Sequence, residues 1–242
     1  MPWCGVMGAG MARLLHRALF LPGPAGRLEA LLWDLPRLQG APHPPLGAVV
    51  CHPHPLFGGT LHNKVVYQAA KTLHRFGLPV LRFNFRGAGL SEGAHDNGRG
   101  EQDDVRAALD FLAGEFPGVP LLLTGFSFGA WVGLRVGCAD PRVSELLGLG
   151  LPVANLSPGE ISYLEACAKP KLLVSGELDG YSPPGQLEAM AGRLRAHVKE
   201  QTQVAVVPAA DHFFAGHLPE LDRAISEWLE ARHPELTARE GG

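Results

Sequence analysis

The chain alternates between short, continuous apolar runs and longer stretches whose apolar residues recur every three or four positions. The runs at 47–51, 79–85, 120–126, 145–151, 171–175 and 203–207 are mostly apolar at successive positions. Strands buried on both faces of a parallel sheet read this way. The segment 28–35 alternates better, which predicts an edge strand paired antiparallel. Between the runs the period becomes helical. In 63–76, Val65, Val66, Ala69, Ala70 and Leu73 share one face, and Gly77 and Pro79 end the element. In 103–115, Val105, Ala108, Leu109 and Leu112 repeat the pattern, and Asp103 and Asp104 suit a helix N-terminus. Further helices are predicted at 127–138, 184–198 and 219–232. Strand then helix, repeated, predicts right-handed crossovers and an α/β fold with helices on both faces of one sheet. No internal repeat or low-complexity tract interrupts it.

The length, 242 residues with 46% hydrophobic content, suits one domain with a sizeable core. We place that domain at 27–232, with 1–26 as an N-terminal extension and 233–242 as a frayed tail. Residues 1–12 are Gly-rich and lack a basic start, so they make a poor signal peptide. Met11 is an alternative start, because the basic residues Arg13, His16 and Arg17 follow it. The formal net charge is −3, without a basic run that would point to nucleic acid. Cys4, Cys51, Cys138 and Cys167 show no CxxC spacing, so they read as free thiols of a cytoplasmic protein. No apolar run reaches the roughly 18 residues that a membrane span needs.

The chemistry begins at 121–133, LLLTGFSFGAWVG. Gly125-Phe126-Ser127-Phe128-Gly129 is a G-x-S-x-G lying between a buried strand and a helix of small residues. That context is a nucleophile elbow, with Ser127 on a sharp turn and Gly125 and Gly129 leaving room for helix to cross strand. The fold expects an acid and then a histidine further along. Asp179 falls just past the 171–175 strand, where catalytic groups gather in open α/β sheets; Glu177 is its rival. His212 follows the 203–207 strand and is the expected base, with His217 the alternative. Asp211 reads as a turn residue bonding its own backbone.

Acyl transfer also needs N–H donors aimed at the oxyanion. The first expected donor is the backbone N–H of Phe128. The second is expected from the 52–59 loop, HPHPLFGG, in which Pro53 and Pro55 have no N–H. His54 is the preferred donor and Leu56 the alternative. His52 and His54 lie two apart in a Pro-rich turn with no nearby carboxylate partner, so we read them as packing residues and expect no metal.

The segments HPHPLFGGTLHNKVV (52–66), LRFNFRGAGLSEG (81–93), GFSFGAW (125–131) and ADHFF (210–214) together resemble the bacterial α/β-hydrolases of the dienelactone-hydrolase-like group. The resemblance spans about 27–228. It implies an α/β-hydrolase fold, with a mainly parallel eight-stranded sheet, and a Ser–His–Asp esterase activity without cofactor. True dienelactone hydrolases have cysteine where this chain has Ser127, which points to a serine carboxylesterase instead. Arg86 and Ser91 are expected to fix their turn and not to touch substrate. Lids in this fold are usually inserted where this chain has only about twenty residues, between the 145–151 and 171–175 strands. They suffice for a loop and one short helix at 161–168, so little or no lid is expected. An open site suits small, soluble, short-acyl esters. Phe57, Phe126, Phe128 and Phe213 are candidates for an apolar wall. A peptidase or thioesterase with the same residues, and a non-catalytic binder on the same fold, remain alternatives. The expected partner is a small ester, with neither nucleic acid nor membrane, and the chain is expected as a monomer or homodimer.

Overall fold

The computed structural model describes residues 15–34, 44–197 and 202–236. Cys4, the start-site question over 1–12 and the tail beyond 236 lie outside the described residues. So do Leu35 and Val198, the expected ends of one strand and one helix. Among the described residues, eight strands form one sheet: β1 (Leu15–Gly23), β2 (Gly26–Asp34), β3 (Gly47–Cys51), β4 (Val80–Phe83), β5 (Leu121–Phe126), β6 (Val143–Leu149), β7 (Lys171–Gly176) and β8 (Thr202–Val207). Their spatial order is β1-β2-β4-β3-β5-β6-β7-β8. From β4 to β8 every pairing is parallel, while β1–β2 and β2–β4 are antiparallel. The expected antiparallel strand is therefore present, one place in from the edge.

Among the described residues, six helices flank the sheet: α1 (Lys64–Arg75), α2 (Gly100–Glu115), α3 (Phe128–Ala139), α4 (Pro158–Ile161), α5 (Pro184–His197) and α6 (Leu218–Arg232). Side chains of alternate strand residues point to opposite faces, so each strand feeds two cores. Val49, Leu81, Leu123 and Leu173 pack with Leu109 and Leu112 of α2, Val132 and Leu134 of α3, and Leu187 and Met190 of α5. Val50, Val80, Leu122 and Val174 pack with Val66 and Leu73 of α1 and with Leu221 and Ile225 of α6. Each buried Leu or Ile contributes about 1.5–3 kcal/mol of transfer free energy, which is why these runs are mostly apolar, with Arg82 in β4 and Thr124 in β5 among the buried polar exceptions. Asn63 caps α1, its Oδ1 accepting the N–H groups of Val65 (2.9 Å) and Val66 (3.4 Å). No helix among the described residues is long and apolar enough to cross a membrane.

Beyond shifts of one to three residues at element ends, three assignments differ from the sequence reading. Residues 15–23, assigned to an extension, form β1, a hairpin partner of β2 across the turn 23–26. Its residues are mostly exposed, with Leu21 buried, so its apolar signal is weak. The helix expected at 161–168 is instead α4 followed by a 3₁₀ turn at Ser162–Leu164. Ser157 and Glu160 form a capping box and Pro158 takes the first helical position, which fixes the earlier start. The tail also begins later than residue 233, since Leu236 is buried in the core beside α1 and α6.

Candidate active site

Ser127 sits between β5 and α3 with φ 55° and ψ −117°. This is a strained conformation for a residue with a Cβ, of order 1–3 kcal/mol, that the surroundings must hold in place. The hold is visible. The Ser127 N–H donates to the Leu149 carbonyl of β6 (2.8 Å), and its own carbonyl accepts from Ala130 (2.9 Å) and Trp131 (3.1 Å) in α3. The tight crossing explains both glycines. A Cβ on Gly129 would lie 2.4 Å from the His52 carbonyl oxygen, and one on Gly125 2.3 Å from that of Gly129. The end of β3 therefore rests directly on the first turn of α3.

Asp179 lies three residues beyond β7 and is 2% exposed. Its Oδ1 accepts two backbone N–H groups, from Tyr181 and Ser182, both at 2.8 Å. Its Oδ2 lies 2.8 Å from His212 Nδ1. The other ring nitrogen, Nε2, is 3.0 Å from Ser127 Oγ. A carboxylate that accepts at Nδ1 fixes the tautomer that leaves Nε2 free to accept from the serine hydroxyl. The imidazole is also held by rings: Phe126 at 5.1 Å, Tyr181 at 4.7 Å and Phe213 at 5.3 Å between centroids. Gly150 closes the space beneath it, since a Cβ there would lie 3.1 Å from His212 Cε1.

The rival residues have other partners. Glu177 accepts the N–H of Ala209 (2.7 Å), a residue at φ 55°, and so supports the turn that leads to His212. His217 lies 3.9 Å from Glu220 at the start of α6. Asp211 accepts the N–H groups of Phe213 and Ala215, each at 3.0 Å. Arg86 chelates the buried carboxylate of Asp104 (2.8–3.1 Å), and Ser91 bridges β2 to the Asn84 carbonyl.

The 52–59 loop is fixed from within. The buried His52 donates from Nδ1 to the Pro53 carbonyl (2.6 Å) and accepts the Phe85 N–H at Nε2 (2.9 Å). Burial pushes its pKa down to about 4, so the ring is neutral. The Leu56 N–H donates to His54 Nδ1 (3.3 Å). Among the described residues no acceptor takes the backbone N–H of His54 or of Phe128. The two residues are neighbours, their rings 4.8 Å apart. Burial and the adjacent His95 lower the His54 pKa.

A cleft of about 350 Å³ opens beside Ser127. Phe57, Phe128, Trp131, Leu156, Pro152 and Tyr181 give it apolar walls, and His54, Asn97 and Asn155 add polar groups. Of the four phenylalanines singled out from sequence, Phe57 and Phe128 line it. Phe126 is buried under His212, and Phe213 stands at the exposed edge of that ring. Sequence reasoning missed Tyr181, Trp131 and Asn97. Trp131 carried a signal: it lies one helical turn after Ser127, on the face that follows the serine. Asn97 carried none. It is placed by a turn at φ 51°, held where the buried Glu101 accepts the N–H groups of Asp96 and Gly98, each at 2.8 Å.

A mainly parallel α/β sheet with a serine on a strained elbow and a histidine in contact with it defines a serine hydrolase of the α/β type. The chain belongs to the α/β-hydrolase superfamily. The family model described as serine aminopeptidase, S33, matches residues 47–158. An uncharacterized protein of Rickettsia prowazekii is 36% identical over 215 residues, 87% of either chain. An α/β serine hydrolase without lid from Xanthomonas campestris is similar with a TM-score of 0.76 and 33% identity, over 90% of this chain and 94% of that one. An α/β serine hydrolase homologue from Coxiella burnetii gives 0.77 and 34%, over 93% of this chain and all of that one. The short segment between β6 and β7, with α4 and two 3₁₀ turns (Val153–Asn155 and Ser162–Leu164), carries no lid domain.

Proposed function

We propose that the protein is a carboxylesterase that cleaves small, uncharged esters with compact acyl groups through an acyl-enzyme on Ser127. The carrying observation is the connected set Ser127 Oγ, His212 and Asp179, with separations of 3.0 and 2.8 Å. His212 removes the hydroxyl proton as Ser127 attacks the carbonyl, and Asp179 stabilises the imidazolium that forms. The N–H groups of Phe128 and His54 receive the oxyanion. His54 is preferred to Leu56 because the Leu56 N–H already has an acceptor. His212 then protonates the leaving alkoxide, and water releases the acid by the same route.

The same residues could serve an aminopeptidase, the activity in the matching family's description. The cleft favours the ester. An aminopeptidase must hold a free α-ammonium group, and a desolvated cation needs a carboxylate partner. The residues that line this cleft include neither Asp nor Glu. Buried free thiols at Cys51 and Cys167 suit the cytoplasmic location that goes with this reading. The test compares p-nitrophenyl acetate and butyrate with aminoacyl p-nitroanilides. Ester turnover, absent in Ser127→Ala, is expected; turnover of the anilides alone would reverse the assignment.

A further inference from the structure

We propose that the cleft beside Ser127 is an acyl subsite for a flat, uncharged ring, so that the preferred substrates are esters of small aromatic acids. This rests on the esterase reading above and names the substrate class for that site. Three observations carry it.

The first is which part of the ester the cleft can hold. The leaving alkoxide takes its proton from His212 Nε2, so the alcohol must depart on the histidine's side of the serine. The cleft is lined by Ser127 and by Tyr181, whose ring packs on His212, but by neither His212 itself nor Phe213. It therefore receives the acyl half. The second is the nature of the wall. Phe57, His54, Phe128 and Trp131 form an unbroken series of ring contacts, with centroids 4.7, 4.8 and 5.8 Å apart. Such faces and edges suit another ring packed offset or edge-on better than a flexible alkyl chain. Phe57 is 86% exposed, and its ring packs on His54 in the cleft lining. The third is size and charge. About 350 Å³ lies at the low end of ligand pockets, more than an acetyl group fills and enough for a single ring. With no Lys, Arg, Asp or Glu in the lining, a charged substituent would be left unpaired.

The experiment uses the intact protein and p-nitrophenyl esters that share one leaving group: acetate, butyrate, cyclohexylacetate and phenylacetate. Each kcat/KM is corrected for the ester's rate of alkaline hydrolysis. The expected result is a preference of about tenfold or more for phenylacetate over butyrate and cyclohexylacetate, within the range that apolar pockets achieve. Trp131→Leu is expected to erase most of that ratio. Because this variant could fail to fold, inhibition of the unaltered protein is the second arm, with benzylboronic acid expected to bind about tenfold tighter than butylboronic acid. Turnover of all four esters without ring preference, or equal inhibition by both boronic acids, overturns this inference and leaves the esterase reading standing. Turnover of none overturns the esterase reading itself.

Discussion

Two acidic side chains follow β7, and their partners separate them. Asp179 turns both oxygens to use, one on the N–H groups of Tyr181 and Ser182 and one on His212. Glu177 supports the Ala209 turn instead. Asp179→Asn is therefore expected to lower kcat by about 10⁴, the effect known when an orienting aspartate is lost, because the amide favours the wrong tautomer. Glu177→Gln should retain kcat within about threefold and lose about 1 kcal/mol of stability, the worth of one hydrogen bond. Steady-state kinetics and urea unfolding of the two variants check both. The sequence favoured Asp179 with Glu177 as its rival, since both lie in the same loop; their hydrogen-bond partners distinguish them. Ser127 and His212 were easier to read, because a five-residue pattern and a post-strand position mark them. Tyr181 and Asn97 were not legible, since ordinary turn residues line a cleft only through folding.

At the level of elements, the crossing of β5, α3 and the end of β3 is what holds the serine in its strained conformation. Gly129→Ala would drive a methyl into the backbone carbonyls of Cys51 and His52, at 2.5 and 2.4 Å. Neither can yield without moving β3, so a loss of about 2–3 kcal/mol, together with activity, is expected. Gly133→Ala, one turn further along the same helix, meets Cys51 Sγ at 3.4 Å and Cys51 Cβ and Leu123 Cγ at 3.9 Å, ordinary contact distances. It should be neutral or stabilising by up to about 1 kcal/mol, since alanine is the better helix former. Denaturation midpoints of the pair test the argument, and equal loss at both sites would count against it. The parallel strands were legible because burial on both faces leaves a continuous apolar run. β1 was not, because an exposed edge strand such as His16–Leu21 has little apolar periodicity to show.

For the whole molecule, the buried His52 links stability to pH. Its pKa falls from 6.5 in the unfolded chain to about 4 in the fold. Between these values the unfolded state binds the extra proton, so stability rises with pH. The contribution is full above about pH 6.5 and is lost as pH falls toward 4, at a cost of about 3 kcal/mol. Urea unfolding at pH 7 and pH 4.5 should show this slope, and His52→Asn should flatten it. The mainly parallel sheet and its helices on both faces followed from the alternation of strand and helix, whereas the strand order is seen only in the fold. The convergence of three distant loops on one rim could only be expected from chain order, because no local pattern encodes it. That convergence is the central claim, and a fluorophosphonate probe tests it most directly. We expect one phosphonyl group per chain, found by peptide mass mapping on Ser127, with labelling strongly slowed in His212→Ala. Labelling at another residue, or none in the folded protein, would contradict the account.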